Sequence, residues 1–502
     1  MNEIVNSINN IIWSPALIYL CLGAGLFYSV LTRFAQVRHF KEMCRLMLNN
    51  SESDKGISSF QALSVSLSGR VGVGNIAGVA AAIGFGGPGA VFWMWVVAFL
   101  GASTAYAEST LGQIYKVEEN GQYRGGPAYY FERCLGWRPL GVIFAISAII
   151  GCGIFLPGVQ ANAVGNAVTQ IFGDGAMVAT AFGDVGTYKL IALAVILIIL
   201  AFIIFGGIRR IAHFTQIVVP FMALGYVVMS LIVVFLNLDK LPGIFMLILG
   251  DAFTAQAGFG AAIGWGVKRG IYSNEAGQGT GPHAAAAAEI DHPAQQGLVQ
   301  AFSVYVDTLL VCTATALMIL ITQQYNVVGT LTDGTFIVQN VPATTEIGSA
   351  AFTQLALNSV FGNFGQIFVG IALFFFAFTT ILAYYYITET NVAYLNRVFN
   401  NKLPVLLFKV LLMFMVAYGT VNSAGYIWTI GDIGVGLMAW VNIIGILIIF
   451  FMHKPTITCL RDYERQKKAG GPITFDPVSL GIKNATFWEQ RLEKQRQQEK
   501  KS

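Results

Sequence analysis

The sequence predicts an all-α integral membrane protein of about eleven transmembrane helices, one N-terminal helix followed by two five-helix halves in opposite orientation. Three observations predict it. Of the 502 residues, 55% are hydrophobic and 11% charged, with mean hydropathy +0.63, against about 25% charged in an ordinary soluble domain. The apolar residues gather into runs of the length that crosses a bilayer, about 20 helical residues. Two of those runs are broken by glycine-rich, polar-dotted stretches that lead the two halves, and at membrane depth such backbone survives only where something takes up its free hydrogen-bonding groups.

The first run, 11–32, has no Lys or Arg ahead of it and no small-residue cleavage site, and it carries Trp13 and Pro15 at its edge. It reads as a span and not a leader. The second, 60–84, is interrupted by Ser68-Gly69-Arg70-Val71-Gly72-Val73-Gly74-Asn75-Ile76-Ala77-Gly78. Runs 89–115 and 140–172 follow across a connection holding Arg124-Gly125-Gly126-Pro127. The second of these contains Gln160 and Asn162, amides that need partners wherever they are buried. Runs 190–207 and 212–236 complete the first half. The next, 242–265, holds the second interruption, Thr254-Ala255-Gln256-Ala257-Gly258-Phe259-Gly260-Ala261-Ala262-Ile263-Gly264.

The connection after it contains Ser273-Asn274-Glu275-Ala276-Gly277-Gln278-Gly279-Thr280-Gly281-Pro282 and the alanine run Ala284–Ala288, expected to form an amphipathic or re-entrant helix. Run 297–322 leads to a polar loop, 323–347, without Lys or Arg, expected to cover an entrance. Run 365–388 sets Thr379 and Thr380 side by side among Phe and Leu, and 404–420 and 426–452 close the membrane part. The expected divisions are 1–59, the extra helix and a basic loop; 60–236 and 237–452, the two repeats; and 453–502, a basic tail. Five spans per half force the halves into opposite orientations, the geometry of an inverted repeat.

Of the 30 Lys and Arg, 26 fall in alternate connections and the tail, Lys268 and Arg269 among them, and only Lys189 and Lys240 fall on the other side. The excess positive charge places the tail in the cytoplasm and the N-terminus outside. The net charge of +4 is carried by the tail, expected to be a solvated anchor whose stretch Glu489–Arg496 forms a short charged helix near anionic headgroups. It implies no nucleic-acid partner. Cys21, Cys152 and Cys312 fall within spans and Cys44, Cys134 and Cys459 on the inner side, so no outward pair is available for a disulfide.

Gly84-Phe85-Gly86-Gly87-Pro88-Gly89 matches G-x-G-x-x-G by spacing, but it follows a membrane helix and contains a proline, so it reads as a tight turn. No H-E-x-x-H, paired C-x-x-C or G-x-x-x-x-G-K-[ST] occurs. ATP-driven, metalloprotease and redox chemistry lose their usual machinery. No nucleophile or acid–base set suggests an enzyme.

At the first break, helix ends offer amides to an anion and carbonyls to a cation. A zwitterionic amino acid suits such a gap, its carboxylate against the amides near Val73, Gly74 and Asn75 and its ammonium against carbonyls of Thr254 to Gly258. Thr379 and Thr380 offer hydroxyls to a hard cation such as Na⁺, or bond back to their own helix. Arg70, Glu108, Asp251, Asp307 and Asp432 lie at or near membrane depth, where charges are costly unless paired. Arg70 with Glu108 or Asp307 is a candidate pair.

The blocks Gly72–Gly78, Gly86-Gly87-Pro88-Gly89-Ala90-Val91-Phe92-Trp93-Met94-Trp95, Arg124–Pro127, Val159-Gln160-Ala161-Asn162 and Ser273–Gly277 resemble, in order and over nearly the whole chain, the alanine/glycine:cation symporters, the sodium:alanine symporter family. The resemblance implies a leucine-transporter-like five-plus-five fold with an added N-terminal helix. It implies substrate contacts at Arg70, Val73, Gly74, Gln160, Gln256, Ala257, Gly258 and Phe259, and a Na⁺ site at Ser68, Val71, Phe376, Thr379 and Thr380. Arg70 and Val73 stand where better-described members carry small hydroxyl residues. Arg70 then either favours a polar substrate such as glutamine or is neutralised by an acid.

The expected function is Na⁺-coupled import of small neutral amino acids (alanine, glycine, serine or glutamine) across the cell membrane by alternating access, with Na⁺ as coupling ion and no other cofactor. The alternatives are a proton-coupled permease or antiporter of the same fold, using Glu108, Asp307 or Arg70, and a channel or substrate sensor.

Overall fold

The computed structural model describes residues 2–48, 55–119, 121–205, 207–254, 259–329, 335–397 and 403–499. Helices α1 (Asn2–Ile12) and α2 (Pro15–Leu31) make the first span and lead to short α3 (Ala35–Arg38) and α4 (Phe40–Met47). α5 (Ser59–Arg70) starts on a reciprocal cap, Ser58 accepting from the Gln61 amide while Gln61 accepts from that of Ser58. It stops at a break, and the chain resumes as a π-helical turn, Gly74–Gly78, and α6 (Val79–Gly86), bent by 50° from α5.

α7 (Ala90–Ile114) ends in a hairpin, β1 (Val117–Glu119) with β2 (Gln122–Arg124), then α8 (Pro127–Leu135). α9 (Arg138–Ala148) continues through Ile149–Phe155 into α10 (Leu156–Phe172). A second hairpin, β3 (Met177–Thr180) with β4 (Gly183–Gly186), precedes α11 (Thr187–Ile204), α12 (Gly207–Phe235) and α13 (Leu241–Thr254).

α14 (Phe259–Asn274) and α15 (Gly281–Ala287) flank residues 275–280, and α16 (Pro293–Val304) runs through Tyr305–Cys312 into α17 (Thr313–Ile321). Next come the hairpin of β5 (Asn326–Val328) with β6 (Phe336–Gln339), α18 (Ala351–Phe361), α19 (Asn363–Asn396), α20 (Leu403–Val421) and α21 (Ala424–His453). The tail adds α22 (Pro455–Ala469) and α23 (Thr486–Glu499).

Among the described residues nine helices are long and apolar enough to cross a membrane, and the bent pair α5–α6 makes a tenth span. The protein is an all-α integral membrane protein. α5, α7, α10, α14, α16 and α19 pack in the centre. α11, α12 and α20 lie outside them and turn Phe202, Phe221 and Leu407 outward, as a lipid-facing surface requires.

Three expectations need correcting. The break that opposes Gly72–Gly74 is 275–280, between α14 and α15, and not the stretch 254–264. Gly74 packs against Tyr272 and Ser273, whereas Gly86, about 18 Å further along the same helix axis at 1.5 Å per residue, meets Ala261 and Trp265. The long apolar run hid this, because α14 stays helical through Lys268 and Arg269 as far as Asn274. For the same reason those two cations are not in a connection: both bridge to Asp432, at 2.6 and 2.8 Å.

Third, the tail is docked through a buried apolar side, with most of its charged residues left exposed. Trp488 is buried and its Nε1 donates to the Gln113 carbonyl at 2.9 Å, while Arg491 pairs with Glu289 at 2.8 Å. The helix expected at Ala284–Ala288, amphipathic or re-entrant, is α15, buried along its whole length. Gly87, at φ 76°, makes the turn between α6 and α7, and Asp251 caps the start of α7 by accepting from the Gly89 amide at 2.7 Å.

Candidate substrate and cation site

At both breaks side chains take up some of the backbone groups that the unwinding frees, as hydrocarbon depth demands. Val71, at φ −76° and ψ 83°, turns the chain out of α5. The Gly72 amide donates to Asn75 Oδ1 at 2.8 Å and the Val73 amide to Gln160 Oε1 at 3.1 Å. Glycine is required at 72, since a Cβ there would collide with Thr380 Oγ1 and approach Gln160 Oε1.

At the second break Glu275, Gly277 and Gly279 adopt φ of 57°, 85° and 77°. The freed amides of Gly277 and Gly279 donate to the Glu108 carboxylate at 3.3 and 3.1 Å, and Asn442 Nδ2 bridges Glu108 and the Gly277 carbonyl at 2.7 and 2.9 Å. Glu108 therefore serves the backbone of the second break.

Asp307 ties the breaks together. Its Oδ1 accepts from Asn75 Nδ2 at 2.6 Å and Ser273 Oγ at 3.0 Å, and its Oδ2 from Thr308 Oγ1 at 2.6 Å. The expected pairing of Arg70 with Glu108 or Asp307 does not form: among the described residues no carboxylate lies within the 4 Å of an ion pair to it. Arg70 Nη1 donates to the Gln300 carbonyl at 3.0 Å and to the Ser303 hydroxyl, leaving Nε and Nη2 buried without partners.

Four of the five expected cation ligands converge. Thr380 Oγ1 reaches across to the Ser68 carbonyl at 2.7 Å and lies 2.8 Å from the Phe376 carbonyl. Thr379 Oγ1 lies 3.2 Å from Phe376 O but also 2.9 Å from Phe375 O, within its own helix. Neutral oxygens from a broken helix and an unbroken one fit a monovalent hard cation. Val71 stands at the same turn.

Of the expected substrate contacts, Arg70, Val73, Gly74 and Gln160 gather at the first break. Gln256, Ala257 and Gly258 lie outside the described residues. Phe259 opens α14, about 21 Å of helix from Ser273 at 1.5 Å per residue. Asn162 holds helices together, donating to the Gly419 and Asn422 carbonyls of α20 and its end, both at 2.8 Å. Ser273 and Glu275, which the sequence placed in a connection, belong to the site. Their signal was glycine at alternate positions, 277, 279 and 281, beside buried-type polar residues.

A family model described as the sodium:alanine symporter family matches residues 1–477. The chain belongs to the sodium:alanine symporter family. It is 53% identical to the protein YrbD of Bacillus subtilis (strain 168), over 97% of this chain and 98% of that one. It is 47% identical to the "Sodium/proton-dependent alanine carrier protein" of Bacillus sp. (strain PS3), over 89% and 97%. It is 36% identical to the "Sodium/alanine symporter AgcS" of Methanococcus maripaludis, over 89% and 94%. The crystal structure of MhsT in complex with L-phenylalanine covers 82% of this chain and 99% of its own at a TM-score of 0.55 and 14% identity, a likeness of fold. As a member of the sodium:alanine symporter family with a leucine-transporter-like fold, the chain is an integral membrane amino-acid symporter.

Proposed function

We propose that this symporter imports small neutral amino acids, alanine first, by coupling their entry to Na⁺ moving inward through alternating access. The observation that carries the reading is the Thr380 hydroxyl on the Ser68 carbonyl, a link between an unbroken helix and the broken one that a cation replaces and strengthens. Na⁺ held by Ser68, Val71, Phe376 and Thr380, with Thr379 beside them, stiffens the first break. The substrate then lies against the amides around Val73 and Gly74, with Gln160 and the second break, Tyr272 to Gln278, completing its pocket. Each ligand raises the other's affinity, which is what coupling means. The tail faces the cytoplasm and the N-terminus the outside, in keeping with the charge bias. A proton-coupled contribution is the second reading, favoured by the buried carboxylates at the breaks and by relatives named as sodium/proton-dependent.

Uptake of labelled alanine, glycine, serine and glutamine into proteoliposomes, with and without an inward Na⁺ gradient, tests this. Accumulation that collapses when choline replaces Na⁺ supports it. Accumulation driven equally well by a pH gradient alone moves the coupling away from the Ser68–Thr380 oxygens.

A further inference from the structure

We propose that Glu275 binds a transported proton, a second coupling site beside the Ser68–Thr380 oxygens. The inference rests on the symporter reading above and adds an ion site to it.

Among the buried carboxylates of the described residues, Glu275 alone keeps an oxygen without a partner. Glu108 is held by two amides and Asn442, Asp307 by Asn75, Ser273 and Thr308, and Asp432 by Lys268 and Arg269. On Glu275 the Thr280 hydroxyl donates to Oε2 at 2.9 Å, while Oε1 is buried with no partner at hydrogen-bond distance, the Tyr384 hydroxyl being the neighbouring donor near the carboxylate. Its backbone sits at φ 57°, a conformation that a non-glycine residue holds only where the surroundings enforce it. The side chain points at the first break: a Cβ on Gly69 would lie 3.2 Å from Oε2 and 3.5 Å from Oε1.

The groups that face it are Arg70 on α5, Asp307 on the π-helical turn of the α16 span, Tyr272 on α14, Cys152 on the π-helical turn between α9 and α10, and Tyr384 on α19. Arg70 is the basic group facing three buried acids, Glu275, Glu108 and Asp307, so the cluster holds more acids than bases even with a Na⁺ at the Ser68–Thr380 oxygens. Excess charge at membrane depth is expensive. A proton suits Oε1 better than a second Na⁺, which needs several oxygens and would meet the Arg70 guanidinium. Protonation needs one lone pair, and Oε1 has it.

The step is an addition of one proton to the carboxylate, giving the neutral acid while the site is open to the outside, and its loss to the cytoplasm after the switch. The partnerless Nε and Nη2 of Arg70 favour the carboxylate and so promote release whenever the two side chains approach.

Wild type, Glu275→Gln and Glu275→Asp are compared in proteoliposomes by alanine uptake under a pH gradient with choline replacing Na⁺, by Na⁺-driven uptake, and by alanine counterflow at equal pH. The expected result is that Glu275→Gln loses pH-driven uptake by about tenfold or more, the loss of a coupling ion, and loses far less of its Na⁺-supported counterflow, while Glu275→Asp keeps pH-driven uptake with a shifted pH profile. Three results would overturn the proposal: pH-driven uptake surviving in Glu275→Gln; counterflow lost as completely as pH-driven uptake in a folded variant, which assigns the carboxylate to the substrate or the fold; and a wild type that ignores the pH gradient while Na⁺ drives it normally. Failure of the wild type under both gradients strikes the symporter reading instead. Where Glu275→Gln does not fold, Glu275→Asp decides: a wild-type pH profile of uptake left unmoved by it overturns the assignment.

Discussion

Thr379 and Thr380 are adjacent in sequence and unequal in the structure, so replacing each by valine separates the proposed ligand from its neighbour. The Thr380 hydroxyl spans to Ser68 on another helix, 2.7 Å away. The Thr379 hydroxyl lies 2.9 Å from Phe375 O, one turn back in its own helix, the usual resting place of a membrane threonine. Valine keeps the shape and removes the oxygen. A hydrogen-bond-like interaction with a charged partner is worth about 1.5–3 kcal/mol, and about 1.4 kcal/mol is a factor of ten. Thr380→Val should therefore raise the Na⁺ concentration for half-maximal alanine uptake by about 10- to 150-fold. Thr379→Val should shift it by less than about threefold, since its hydroxyl is already satisfied by its own helix. Titrating Na⁺ against initial uptake rates in proteoliposomes reads both. Equal shifts in the two variants, or an unmoved Thr380→Val, would refute the assignment of the Na⁺ to these oxygens.

Gln160→Ala leaves the buried Val73 amide without its acceptor, a cost of about 1–3 kcal/mol, and should raise the KM for alanine with a smaller effect on the Na⁺ dependence. Asp432→Asn strips the counter-charge from Lys268 and Arg269; breaking a buried pair costs about 3–5 kcal/mol, so the variant should lose several degrees in a thermal-shift assay in detergent. Burial under Tyr123, Phe487 and Trp488, reinforced by Arg491 and opposed by Glu289, pushes the Lys116 amine down from the usual 10.5 to about 7. The docked tail therefore holds fewer protons than the released one above pH 7, so docking strengthens as the pH rises from 7 towards 10.5 and is weakest below 7. Release of α23 by trypsin should slow between pH 7 and 9, and Lys116→Met should flatten that dependence.

Much of this was readable before any coordinates. The first break was plain in the string Gly72-Val73-Gly74-Asn75, because glycine and asparagine have no reason to interrupt an apolar run unless the backbone opens there, and Gln160 and Asn162 stood out as amides among apolar neighbours. The second break was misplaced because a hydropathy scan follows side chains and not hydrogen bonds: the glycines near 258–264 look like those of the first break, while Lys268 and Arg269 look like the end of a span. Asp432, 163 residues away in the chain from Arg269, together with the rings of Trp13, Trp265 and Trp428, makes those two charges tolerable inside a helix. The tail misled for a related reason. A run rich in Glu, Gln, Arg and Lys looks solvated, and the burial of Trp488 depends on a surface assembled from the hairpin of β1 and β2 and the end of α7.

By itself the sequence determined the membrane class, the family, the N-terminal span and the first break, because hydrophobic run length and glycine placement are local properties of the chain. The tertiary structure decided which stretch faces the first break, which threonine reaches it, where Arg70 and the carboxylates find or lack partners, and that the tail is docked. Those outcomes depend on distances between helices far apart in sequence, where one side chain supplies the hydrogen bond that another segment's opened backbone needs, and local composition carries no record of that pairing.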